Sequence, residues 1–331
     1  MTEKTWPRLA CIDIAKGILI ILVVVGHVVT GSHFVTKVII RVINSFHMPA
    51  FFIISGILIN TDKLRTQPFW LFIKKKAARL LIPYIVFEFI GALWQILLLQ
   101  QSQIDIITTI RRIFTIECYV GADWFLATLF FAEMVLYGIN KFIDKKWFLP
   151  IAVCSFLLML YLPDGMWILA NSRRILAAIT FILIGMHWHG LFVRDSSLLF
   201  LLCTIGLVVG SALNSGTPSI NLRLFENPIC FLLCGICGAY AVLFVSKKIL
   251  GTKILRKLFE QCGKASLVIM GTHQNILLPF YMKYTIWTSI LDKTALLLLI
   301  FLLEVPLILF CRNFLPNWVS ENPKDKSRGV I

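Results

Sequence analysis

Lys16 and His27 stand in one apolar run, 12–29, eleven positions apart. At about 100° per residue that spacing returns to within roughly 20° of the same helical face, with a rise of about 16 Å. Asp13 precedes Lys16 by one turn, can pair with it at i,i+3, and lies about 40° round the axis from His27. All three share a stripe. A cation and a titratable imidazole along one face of a membrane helix are costly to keep, so their default reading is functional. The chemistry that an imidazole offers near neutral pH is proton transfer. The bland alternatives are an interfacial ion pair with a snorkelling lysine, and a histidine satisfied by backbone.

Other charged and polar groups recur at intervals. His47 opens the next apolar run, close in depth to the outer end of the first helix, where it can face His27 or be solvated. Lys75, Lys76 and Arg79 cluster at an inner edge, and such a patch can grip phosphates through charge and multiple donors. Glu88 and Glu133 fall within apolar spans, where they can orient a histidine, contact a sugar or pair with basic groups. Arg111 and Arg112 lie in an outer loop near Trp124, suited to an anionic glycan or simply to water. Glu304 precedes Pro306 in the last apolar run, which favours a structural role.

What positions these residues is a membrane fold. The 331 residues are 58% hydrophobic and only 15% charged, with a mean hydropathy of +0.84. That excludes an ordinary soluble enzyme. Continuous apolar runs favour an all-α bundle over a barrel, which needs short alternating segments. The segmentation is 12–30, 46–60, 80–99, 124–140, 147–162, 175–189, 197–213, 228–246, 265–281 and 294–311, giving about ten transmembrane helices. Asp13, Lys16 and His27 argue that the first run is no signal peptide. With the N-terminus inside, 23 of the 32 Lys and Arg residues fall on the inner side, so both termini are expected in the cytoplasm. Residues 1–317 read as one integral membrane domain and 318–331 as a polar cytoplasmic tail.

The net charge of +15 is topological signal and attraction to anionic lipid, not a nucleic-acid footprint, because no soluble reading module accompanies it. Cys230, Cys234 and Cys237 share roughly one helix face, yet without carboxylates or histidines nearby they read as packing residues. No metal is expected.

Several stretches resemble a known family. Ile12-Asp13-Ile14-Ala15-Lys16-Gly17 through Val25-Gly26-His27 is similar to the first-helix signature of the membrane acyltransferase-3 family. Phe46-His47-Met48-Pro49-Ala50-Phe51-Phe52 with Ser55-Gly56 resembles its second helix, especially in the fucose 4-O-acetylase-like branch. Asp123-Trp124-Phe125-Leu126 resembles that branch's Trp-Phe-Leu element. Gly263-Lys264-Ala265-Ser266 leading to Thr272-His273-Gln274 is similar to a late pattern ending in histidine. The family's Arg-x-x-Arg stands here as Lys76-Ala77-Ala78-Arg79, which keeps the charge and loses bidentate geometry. Some larger members carry a C-terminal esterase domain, and a second soluble catalytic step is not expected here.

The resemblance implies transfer of an acyl group, usually acetyl, from cytoplasmic acyl-CoA to a carbohydrate hydroxyl, in a bacterial cytoplasmic membrane. His27 is then the base that accepts the hydroxyl proton, or a transient acyl carrier. Asp13, Lys16 and His47 complete the expected catalytic set. Lys75, Lys76 and Arg79 are expected to hold the CoA phosphates. Glu88, Trp124, Glu133, Arg111 and Arg112 are expected on the acceptor. The expected partners are acetyl-CoA or another acyl-CoA, a glycan or lipid-linked sugar, and membrane lipid. Two rivals remain at this stage, a glycan or precursor exporter and an acyltransferase acting on a small molecule.

Overall fold

A computed structural model describes residues 5–29, 33–98, 107, 110, 111, 113, 121–162, 167–214, 216, 218–220, 227–284 and 289–314. Among these the architecture is all-helical. Helices α1 (Thr5–Val28) and α2 (Phe34–Leu58) are followed by a short α3 (Thr61–Thr66). Then α4 (Phe69–Lys76) and α5 (Ile82–Leu93) join through a π-helical turn, Ala77–Leu81, and a second π turn, Trp94–Leu98, prolongs α5. Next come α6 (Trp124–Phe142), α7 (Phe148–Tyr161), α8 (Trp167–His187) and the short α9 (His189–Val193). The remaining helices are α10 (Ser197–Ala212), α11 (Pro228–Ile249), α12 (Lys253–Lys264), α13 (Ser266–Thr272), α14 (Leu278–Tyr284) and α15 (Ile290–Phe314). A third π turn, His273–Leu277, links α13 to α14.

Six helices are long and apolar enough to cross a membrane: Ala10–Val28, Phe34–Leu58, Phe69–Leu97, Trp124–Phe142, Pro228–Ile249 and Leu291–Asn313. The other four expected spans are helical but are not among these six. α7 and α10 are short, α8 carries Asn171, Arg173 and Arg174 near its start, and the stretch 265–281 passes through the polar start of the His273–Leu277 π turn. Four helix starts lie well before the sequence reading: α1 begins at Thr5 rather than 12 and α8 at Trp167 rather than 175, and two others bear on the site. The second helix starts at Phe34 rather than 46, so Pro49 lies inside it instead of in its first turn. Its ring is accommodated because Gly235 of α11 faces it without a side chain. The third helix starts at Phe69, which places Lys74, Lys75 and Lys76 on the helix itself. The tail 318–331 lies outside the described residues, as does the boundary at 317.

Burial follows the inverse logic of a bilayer, with apolar side chains outside and inside alike. On α10, Leu198, Leu201, Leu202, Ile205, Val208 and Val209 form an exposed stripe at helical spacing, while Leu207, Gly210 and Ser211 face inward. With no gain from removing apolar surface from lipid, close backbone approach supplies the packing. Gly56 of α2 sits on the Ile182 carbonyl of α8, and Gly185 of α8 on the Ile53 carbonyl. The same device joins α1 to α12, where Gly17 abuts the Phe259 carbonyl and Gly263 the Asp13 carbonyl. Cys234 packs against Gly210 and its thiol meets the Leu207 carbonyl at 3.7 Å. A Cβ at Gly17, Gly56, Gly185 or Gly263 would enter a neighbouring backbone, and at Gly210 it would meet the Cys234 sulfur, so α1 is held by its own small residue beside Lys16.

Candidate active site

The last turn of α1 carries His27, and two further histidines surround it. His47 is buried on α2, and its Nδ1 lies 2.7 Å from the Ile43 carbonyl one turn earlier. His273 opens the third π turn, is 1% exposed, and has Nδ1 at 2.5 Å from the Ile269 carbonyl. Carbonyl oxygens only accept, so in both rings Nδ1 donates and Nε2 of the neutral ring holds the lone pair. The His27 and His273 rings stand 5.4 Å apart, centre to centre, tilted by 41°. Both His47 and His273 are electrostatic neighbours of His27. Among the described residues His273 Nε2 has no hydrogen-bond partner.

The π turn is held from three sides. A π turn widens the helix by one residue and is frequent at functional sites. Thr272, just before His273, meets both carboxylate oxygens of buried Glu304 of α15 at 2.8 Å. Asn275 donates its amide to the Asp123 carboxylate, just before α6. Gln95 Nε2 donates to the Asn275 carbonyl at 3.4 Å. The close fit needs Gly91 of α5 and Gly121, both pressed against the Asn275 side chain. Gly121 also has φ +148°, a conformation that other residues avoid. Glu88, three residues before Gly91, is buried beside Asp123 as its electrostatic neighbour.

Lys16 pairs with Asp13 at 2.8 Å, as their i,i+3 spacing expects. At the end of α4, Lys76 lies 2.8 Å from each carboxylate oxygen of Glu133 on α6. Here two residues expected at opposite ends of the chemistry, Lys76 on the donor and Glu133 on the acceptor, are brought together instead. Among the described residues, Lys75 is exposed and Arg79 half-buried, and neither makes an ion pair.

Trp124 is buried at the start of α6, and the cation over its ring is Arg174 of α8 at 5.8 Å. Arg174 Nη1 also donates to Asn171 Oδ1 at 3.3 Å. Arg111 is exposed, and Arg112 lies outside the described residues. The groups that sequence reasoning left without a task are therefore His273, Asn275 and Asp123. The Thr272-His273-Gln274 element had marked the first. Nothing in the chain order links Asp123 to Asn275, 152 positions on.

This arrangement has the parts of a proton-transfer centre: one half-buried imidazole, two tautomerically fixed imidazoles near it, and an ion-paired lysine one face-length below. Comparison with known proteins gives the setting. The chain belongs to the acyltransferase-3 family, whose acyltransferase domain matches residues 9–311. No curated protein and no solved structure matches it.

Proposed function

We propose that this membrane acyltransferase moves an acyl group, typically acetyl, from cytoplasmic acyl-CoA to a sugar hydroxyl of a surface glycan or its lipid-linked precursor. His27 acts as general base. The observation that carries the reading is the His27–His273 pair at the end of α1, eleven positions beyond Lys16. The setting is a bacterial cytoplasmic membrane, with ten spans and both termini inside, and the branch is the fucose 4-O-acetylase-like one.

A hydroxyl is a poor nucleophile until its proton has a place to go. His27 takes that proton as the acceptor oxygen bonds to the acyl carbon and the carbon–sulfur bond breaks, and CoA leaves as the thiolate. His27 then returns its proton to the leaving sulfur or to water. The donor supplies an activated thioester carbonyl. Lys75 and Arg79 suit its phosphates because no carboxylate neutralises them among the described residues. Lys76 fits less well, since Glu133 already holds it. The Asp13–Lys16 pair lies between the two ends, on the His27 stripe, where it can line the path of the pantetheine arm. That arm has about 16 Å to cover from Lys16 to His27. Glu88 and Trp124 stand near the π turn and α6 and belong with the acceptor, as does His47 with the base. Arg111 and Arg112 serve a more distant part of an acidic glycan.

The test is to incubate purified protein with radiolabelled acetyl-CoA and candidate glycans, and follow label into glycan. The reading requires transfer by the wild type and its loss in His27→Ala. Label that stays on CoA with every glycan, or equal transfer by the variant, removes it.

A further inference from the structure

We infer that His273 is a positioning residue for the base: its Nε2 accepts the N–H of His27, fixes the His27 tautomer, and holds the imidazolium that forms during transfer. The inference rests on the proposed role of His27 and adds a partner to it. Three observations converge on this pair. First, the Ile269 carbonyl commits His273 Nδ1 to donate, so Nε2 is left as an acceptor. Second, that Nε2 is buried with no hydrogen-bond partner, and a buried acceptor without a donor is destabilising. Third, the ring spacing is right. An edge-to-edge N–H···N bond of about 2.9 Å sets two imidazole centres roughly 5.3 Å apart, since each nitrogen stands about 1.2 Å from its ring centre. The observed separation is 5.4 Å. A small rotation of either ring closes the bond, and catalytic hydrogen bonds commonly tighten only when substrate is present.

The consequence for the reaction is definite. With one nitrogen of His27 donating to His273, the lone pair sits on the other, and that is the nitrogen offered to the acceptor hydroxyl. When the hydroxyl proton arrives there, the positive charge is shared with a hydrogen-bond acceptor instead of standing alone in an apolar site. His273 itself neither gains nor loses a proton, and no atom of it bonds to substrate. The π turn explains how the ring is kept in place, because Thr272 is tied to Glu304 and Asn275 to Asp123 on either side of it.

His273→Asn is the informative variant. Its amide can still donate to the Ile269 carbonyl, and it lacks the distal acceptor. His273→Gln sets an amide oxygen near the Nε2 position and serves as the rescue. In the acetyl-transfer assay we expect His273→Asn to lower kcat by about 10- to 100-fold with KM for both substrates nearly unchanged, and His273→Gln to recover part of it. A second readout needs no turnover. In 15N-histidine-labelled protein, His27 should show one neutral tautomer in the wild type and a mixture in His273→Asn, with thermal stability of the folded protein measured alongside. Wild-type kcat and an unchanged His27 tautomer in folded His273→Asn would overturn the inference. So would a tautomer change that follows His47→Asn and not His273→Asn. Should His27→Ala retain full transfer, the proposed base falls with its assay, yet the tautomer measurement still decides whether the two rings are bonded.

Discussion

The two ends of the α1 stripe solve the problem of polar groups in an apolar protein in opposite ways. At the histidine end no counter-ion is found among the described residues. His47 and His273 each donate one ring N–H to a carbonyl of their own helix, one turn back, and His27 is set among them. At the lysine end Lys16 is matched by Asp13, and on α4 Lys76 is likewise matched by Glu133. On the adjoining α12, Lys264 pairs with Glu260 at 2.6 Å. A neutral cluster leaves proton-accepting nitrogens available, and a paired cluster locks its charges. The contrast separates groups suited to move a proton from groups suited to hold shape, and within one basic run it sets the paired Lys76 apart from Lys75 and Arg79.

The sharpest way to break the comparison is at its neutral end. His27→Ala should lower acetyl transfer by about 10²- to 10⁴-fold, the usual contribution of a general base, and lower stability by no more than the loss of one hydrogen bond to His273, about 1 kcal/mol. A variant that melts much lower and transfers at the wild-type rate would reverse the assignment of the two ends. The paired end should behave the other way round. Lys76→Met strands the Glu133 carboxylate, which is 6% exposed, and should cost about 3 kcal/mol of stability. Adding Glu133→Leu should return most of that, and the double variant should keep its transfer rate. A thermal or chaotrope unfolding series on the four proteins of the cycle measures it. If the double variant is folded but inactive, the pair belongs to the chemistry after all.

Much of this architecture was legible because apolar runs in lipid can only be helices, and run length gives their edges. The starts of α6, α10 and α11 fall where the runs start. The reading failed where local signals misled. Lys37, Arg41 and Asn44 look like a loop before Pro49, yet the chain is already helical from Phe34. The stripe of Asp13, Lys16 and His27 was readable from spacing alone, as was the Asp13–Lys16 pair. Partners far apart in sequence were not. Lys76 meets Glu133 across 57 positions and Asn275 meets Asp123 across 152, and no periodicity encodes such choices. His273 shows the same limit, since a histidine's task depends on what its second nitrogen faces.

Between the two extremes stand Lys75 and Arg79, which have no carboxylate partner among the described residues. Lys75→Ser with Arg79→Ser should weaken acyl-CoA binding roughly tenfold, one or two charge-assisted contacts, and leave the melting temperature where it was. Calorimetric titration with a non-hydrolysable acyl-CoA analogue reads this directly. Equal affinity in the variant would show that phosphate binding lies elsewhere, with α12 the next basic surface to test.

The smallest effect belongs to α12, where the ion pairs are on the surface. Lys264, which donates a hydrogen bond to Glu260, together with Arg256 holds the Glu260 carboxyl below its ordinary range. A depressed carboxyl contributes stability above its unfolded value, near pH 4.3, and loses it as the pH falls through the folded one. The two i,i+4 pairs are solvent-facing, so each contributes only about 0.3–0.5 kcal/mol at neutral pH. Glu260→Gln should therefore lower the melting temperature slightly at pH 7, and the gap to wild type should narrow as the pH is brought below 4. Added salt should narrow it too, because exposed pairs are screened. A gap that persists at low pH and high salt would mean that Glu260 acts through packing of α12 on α1 and not through charge, which would place this surface helix with the shape-holding end of the molecule more firmly than its ion pairs do.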